Sequence, residues 1–275
     1  MRARNASTVA PEPIAILLLK LTLVPALIAG VTLAARRWGP WIGGLLVGLP
    51  VVAGPTLCFY AVEQGPAFAA RAASGTLLSL VALTVFCVVY AHVCRRGAVA
   101  MALVVAYAAW GIVAFLLEPV RIGPSLTLAI VFAACAAGWL ALPTMVEVPP
   151  ALQFPRWDLP LRMASAGALV LLLTSLAERL GPTWSGLLTP FPVATAVIAA
   201  FTQAHRGAGA VLAFFDGFVP AITAFATFCF VLAVTLEALP VVWAVLVALV
   251  AHLAVSALLL WTGTRRLATM RHGRA

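Results

Sequence analysis

Runs of about twenty apolar residues, the length needed to cross a bilayer's hydrocarbon core, recur along nearly the whole chain and leave it few folds. Nine such windows fall at 14–35, 41–62, 72–93, 97–117, 123–143, 162–180, 183–203, 209–235 and 239–262. Charge or turn-forming residues separate them: Arg36-Arg37, Glu63-Gln64-Gly65-Pro66, Arg95-Arg96-Gly97, Glu118-Pro119, Glu178-Arg179 and His205-Arg206-Gly207. With 64% hydrophobic and 9% charged residues, the chain has too little polar surface for a water-soluble domain. The expectation is an all-α integral membrane protein of about nine spans, with the lipid bilayer as its main partner. The first window is too long for a signal-peptide core and reads as a retained helix.

The formal charge of +9 is scattered in ones and twos between apolar runs, which argues against nucleic-acid binding. With nine spans, one side of the membrane receives Arg2, Arg4, Arg71, Arg121 and Arg179. The other receives Arg36, Arg37, Arg95, Arg96, Arg156, Arg162, Arg206, Arg265, Arg266, Arg271 and Arg274. Positive loops stay cytoplasmic, so the C-terminus is expected inside a bacterial cytoplasmic (inner) membrane. The five cysteines lie within or beside apolar runs without metal-ligand spacing and read as small apolar residues.

A shift of 142 residues aligns the two halves without a gap. Gly39, Pro40, Gly44, Leu45, Leu46, Pro50 and Val51 fall on Gly181, Pro182, Gly186, Leu187, Leu188, Pro192 and Val193. Between 39 and 91 there are 15 identities in 53 positions, against about 5 by chance in a chain so rich in Ala, Leu and Val. The repeat covers four spans per half, and the window 123–143 has no mate. Four spans return the chain to its starting side, so one additional span turns the second copy over. The expected plan is a 4+1+4 inverted repeat: residues 1–121, a linking helix and Pro-rich loop over 122–160, and 161–275 with a basic tail. Inverted repeats are a common transporter architecture, with the solute site near the midplane between copies.

The second half resembles the GlpM-like family of small bacterial inner-membrane proteins. Arg162 heads the first of its spans, GLLTPFP occupies Gly186–Pro192, and Arg206-Gly207 precedes a Phe-rich third span. The first half departs from that pattern, with Lys20, Gly48-Leu49-Pro50 and Glu63-Gln64-Gly65 at the matching places. The resemblance implies a four-span unit and no particular activity. In plan the chain also looks like duplicated small multidrug transporters and fluoride channels.

Candidate solute-binding residues come first from the second spans. Gly48, Pro50 and Thr56, with Thr189 and Pro192 in the mate, sit where proline frees carbonyls and glycine lets backbones approach. Close packing around Gly44-x-x-x-Gly48 is the competing use of the same residues. Lys20, the only lysine, lies inside the first span, where an unpaired charge costs at least ~3 kcal/mol. Its mate is Arg162; the pair is expected either to attract an anion or to hold an acidic partner, with snorkelling as the alternative. For proton or ion coupling the candidates are Asp216, Glu63 and His205: Asp216 stands where the first copy has Ser74, and Glu63 and His205 are mates. Asp216 could pair with Lys20 or Arg206. A turn or helix-end position is the simpler reading of all three. His252 reads as a packed, hydrogen-bonded histidine.

No catalytic motif, phosphate loop or metal-binding signature occurs, so neither a cofactor nor a metal is expected and the chain is not expected to be an enzyme. The leading expectation is a secondary transporter or channel for a small solute, an anion among the candidates. A non-transporting accessory or scaffold protein is the alternative, a membrane-embedded enzyme the less favoured third, and assembly of like chains is compatible with the first two.

Overall fold

A computed structural model describes residues 14–50, 53–144, 157–165, 167–168 and 192–272, and every described element is a helix. In chain order these are α1 (Ile14–Trp38), α2 (Pro40–Val47), α3 (Ala53–Glu63), α4 (Pro66–Val93), α5 (Val99–Leu117) and α6 (Pro124–Ala141). After a helical stretch over 158–165 come α7 (Val193–Thr235) and α8 (Val241–His272). Among the described residues, six helices carry segments long and apolar enough to cross a membrane: α1, α4, α5, α6, α7 and α8. The described helices are those of a multi-pass membrane protein. Residues 166 and 169–191, which make up most of the window 162–180 and the first part of 183–203, lie outside the described residues.

Punctuation in the sequence sets the helix limits. Proline occupies the first turn of α2, α4 and α6, where its missing N–H leaves no helical bond unmade. The window 41–62 is two short helices. The last turn of α2 tightens, Gly48 N–H donating to Leu45 and Leu49 N–H to Leu46, and Pro50 then follows. On the far side, Gly54 N–H donates back to the Pro50 carbonyl. Conversely, α7 takes in parts of two expected spans. At Gly207 the backbone takes φ 73° and ψ 179°, so α7 is two arms, 193–206 and 208–235, meeting at a kink. Gly65, the repeat mate of Gly207, takes φ 90° and ψ 160° just before α4. A positive φ strains any residue with a Cβ, which is why glycine stands at both positions.

The core is α7 against α2, α4, α6 and α8. Phe86, Tyr90, Phe214, Phe215 and Phe228 are fully buried there. Tyr90 stacks edge-on against Phe215 at 5.8 Å and donates to Gln203 Oε1 at 2.8 Å. The Gln203 amide in turn donates to the carbonyls of Cys94 and Gly97 just past the end of α4, satisfying acceptors a helix end leaves open. The opposite faces of α5 and α8 expose Val104, Ile112, Phe115, Val242, Trp243 and Val250. Such a continuous apolar surface suits acyl chains.

Chain direction is set by the contacts of α6. Thr84 meets Cys135 at 3.5 Å, and Gly138 lies beside Thr84 and Val88, so α6 runs parallel to α4. Gly138 also faces Val219, Tyr90 meets Phe215, and Gln203 reaches the carbonyls of Cys94 and Gly97, so α4 runs antiparallel to α7, and α6, parallel to α4, is antiparallel to the second arm as well. α4 and 208–235, which the 142-residue shift aligns in sequence, therefore point in opposite directions. Along α2 and α3, Gly44 abuts Phe214 and Phe218, Gly48 abuts Ala221, and Gly54 lies against Phe228. This glycine face is closed on the α7 backbone, the close-packing use of Gly44-x-x-x-Gly48.

Candidate functional site

The helical stretch 158–165 begins with Trp157, whose carbonyl accepts the Leu161 N–H. Asp158 opens the first turn, where a carboxylate is favoured by the exposed N–H groups, and Arg162 comes four residues later on the same face. Asp158 is fully buried and Arg162 is 3% exposed. Arg162 Nε donates to both carboxylate oxygens, at 3.1 and 3.0 Å. From the C-terminal end of α1, Arg36 Nη2 donates to Asp158 Oδ2 at 2.6 Å. Two guanidiniums thus converge on one buried carboxylate.

The first arm of α7 closes the cluster. His205 Nδ1 lies 3.5 Å from Asp158 Oδ1 and 2.9 Å from the Phe201 carbonyl. Both neighbours are acceptors, so Nδ1 carries the hydrogen. Phe201, one turn earlier, stacks on the His205 ring, and the Arg162 guanidinium lies 5.1 Å from the centre of the Phe201 ring. That cation–π contact offsets part of the desolvation of a nearly inaccessible arginine. Trp157 packs at 5.9 Å on His205.

Beside the cluster is a cavity of about 20 Å³, enough for one water molecule, bounded by α1, the start of α2, 158–165 and α7. Its polar lining is Thr32, Arg36, Arg162, Thr202 and Arg206. Three arginines therefore border one small space, and Asp158 pairs with two of them. The arrangement can hold an acceptor or an anion.

Compared with known proteins, the chain matches no family model, no curated protein and no solved structure. Geometry alone carries the functional reading.

Among the residues singled out from sequence, the fold brings Arg162 and His205 together through Asp158. His205 is helical rather than in a turn, and its carboxylate neighbour is Asp158. Glu63 is the last residue of α3, and Lys20 stands near the start of α1; the side chains of both lie outside the described residues, as does Thr189 altogether. Gly48, Pro50 and Thr56 are on or beside the broken second span, Pro50 and Thr56 are buried, and none of the three lines the cavity. Pro192 caps α7, its carbonyl accepting the Ala196 N–H at 2.9 Å. Asp216 is mid-helix, where Trp139 Nε1 donates to its Oδ1 at 2.9 Å. No ion pair to Arg206 accompanies that bond among the described residues. His252 is buried, 3.3 Å from Ser256 Oγ and edge-on to Phe228.

Replacing Trp139 with phenylalanine keeps the ring and removes the donor to Asp216. Loss of this hydrogen bond, leaving a carboxyl oxygen without its donor, is expected to lower stability by about 1 kcal/mol or more. Thermal unfolding in detergent measures it, and an unchanged midpoint would show that Asp216 does not depend on Trp139.

Sequence reading gave no site role to Asp158, Arg36 and Thr32, and to Arg206 only that of a partner for Asp216. One signal was available for the first: Asp158 and Arg162 have the spacing of a helical ion pair, masked by the prolines that precede them.

Proposed function

We propose that this chain is a secondary transporter or channel for a small solute, working between two oppositely oriented four-helix bundles joined by α6. The single observation that carries the reading is the course of α6, parallel to α4 and antiparallel to 208–235. Mates that point opposite ways are what an inverted pair requires, and such pairs place alternating access within one chain. The matched backbone at Gly65 and Gly207 supports the duplication, and the interruption at Gly48–Pro50 supplies the discontinuous helix typical of such proteins. In this reading the protein sits in a bacterial cytoplasmic membrane. The arginine-bordered end of the bundle, with the C-terminus, faces the cytoplasm. The second half's likeness to GlpM-like proteins fits a four-span unit as the ancestral module.

One observation favours a second reading, a non-transporting accessory protein. The Gly44–Gly48 face is closed against α7, leaving no passage along that seam. Flux decides between them. Purified protein in proteoliposomes is expected to carry at least one member of a panel of small anions and amphipathic cations faster than protein-free vesicles. Absence of flux for the whole panel, with correctly folded protein, would favour the accessory role.

A further inference from the structure

Buried polar groups are least well matched at the cavity between α1 and the first arm of α7. Thr32 is 4% exposed, and its Oγ1 has no hydrogen-bond partner. Arg206 Nε is also buried and unpartnered, and no ion pair reaches Arg206 among the described residues. Both side chains line the same space, alongside Thr202 and two arginines that converge on Asp158. Buried donors are almost always satisfied, and exceptions call for an occupant. Arg206 is only half-buried, so a water molecule could serve both Thr32 and the Arg206 Nε–H. An anion would accept the same hydrogen bonds and also offset the excess of positive charge around the cavity.

We infer that this cavity is an anion-binding site for a small monoanion, held by Arg206 and Thr32. Size sets the class. With about 20 Å³ available, one halide ion or one oxygen of a short carboxylate fits, and a larger anion could enter only by its tip. Charge sets the sign. Three arginines border the space and one carboxylate, Asp158, faces two of them, so positive charge is in excess there; the small volume and the nearby buried carboxylate favour a compact monoanion over a bulky dianion. The inference deepens the transport reading by naming a solute class; binding itself stands without that reading, and only passage across the membrane rests on it.

The test uses the full chain in lipid nanodiscs, with chloride, formate and phosphate titrated calorimetrically against a bulky-anion background. Saturable one-to-one binding of chloride or formate is expected, with phosphate weaker. Arg206→Gln is expected to weaken binding about tenfold, the loss of a charge-assisted hydrogen bond, and Thr32→Val by about threefold or more. Arg206→Lys should keep part of the affinity, because it retains the charge but loses the planar fork. Arg121→Gln, on the exposed turn before α6, should leave binding unchanged. Circular dichroism and size-exclusion profiles report folding; if Arg206→Gln does not fold, Thr32→Val and Arg206→Lys carry the comparison. Wild-type affinity in both Arg206→Gln and Thr32→Val, or no saturable binding of chloride or formate, would overturn the site. Binding without flux would leave the site standing and remove transport; flux with binding indifferent to Arg206 and Thr32 would do the reverse.

Discussion

Gly44→Leu is expected to lose about 3 kcal/mol of stability or more, so that little monodisperse protein survives extraction. A Cβ at this position would overlap the Phe214 carbonyl oxygen and press on the Phe218 amide nitrogen. Both are backbone atoms of a helix held on its other sides by α4, α6 and α8, so neither can turn aside as a side chain would. Gly217 meets α2 in the same way, its missing Cβ leaving room for the Trp41 carbonyl. Gly75 supplies the contrast. It is exposed on α4, with nothing near the place a Cβ would occupy, and Gly75→Ala is expected to be neutral or to stabilise by about 0.5–1 kcal/mol. Thermal midpoints of the two variants in one detergent make the comparison. Equal midpoints for wild type and Gly44→Leu would mean that α2 and α7 do not meet backbone to backbone.

Asp158→Ala is expected to cost about 3–5 kcal/mol, because it leaves Arg162 buried without the carboxylate it binds through both oxygens. The loss should fall mainly on that charge. Adding Arg162→Met to Asp158→Ala is expected to recover part of the stability, since a buried apolar side chain needs no counter-ion. Unfolding of the wild type, both single variants and the double variant closes the cycle. A double variant no more stable than Asp158→Ala would show the two residues to be uncoupled.

How far the sequence could be read differs from element to element. Length and apolarity are enough to locate α1, α4, α5, α6 and α8, because the bilayer thickness sets a scale that few residues can disguise. The interruption near Gly48–Pro50 was legible as a weak point, since proline denies a helical donor whatever surrounds it. Whether such a weak point serves a solute or a neighbouring helix is a tertiary matter; here Ala221 meets Gly48, which no local pattern encodes. The Gly65 and Gly207 correspondence was visible as an identity in the repeat, while its positive φ was not. At the site, Arg162 and His205 stood out for being polar among apolar neighbours. Asp158 did not, because a stretch with prolines on both sides reads as a boundary. Its burial depends on Arg36, 122 positions earlier, and sequence spacing is silent about that distance.

The kink at Gly207 divides α7 by duty. The arm beyond it, 208–235, is wedged among α2, α4, α6 and α8, while the arm before it carries Phe201, Thr202, His205 and Arg206 to the polar cluster and its cavity. A φ of 73° lies outside any right-handed helix, so the two arms need not share an axis. The polar arm thereby takes its own bearing, moored by Gln203 to the end of α4 and by His205 to Asp158, whatever axis the core-packing arm follows.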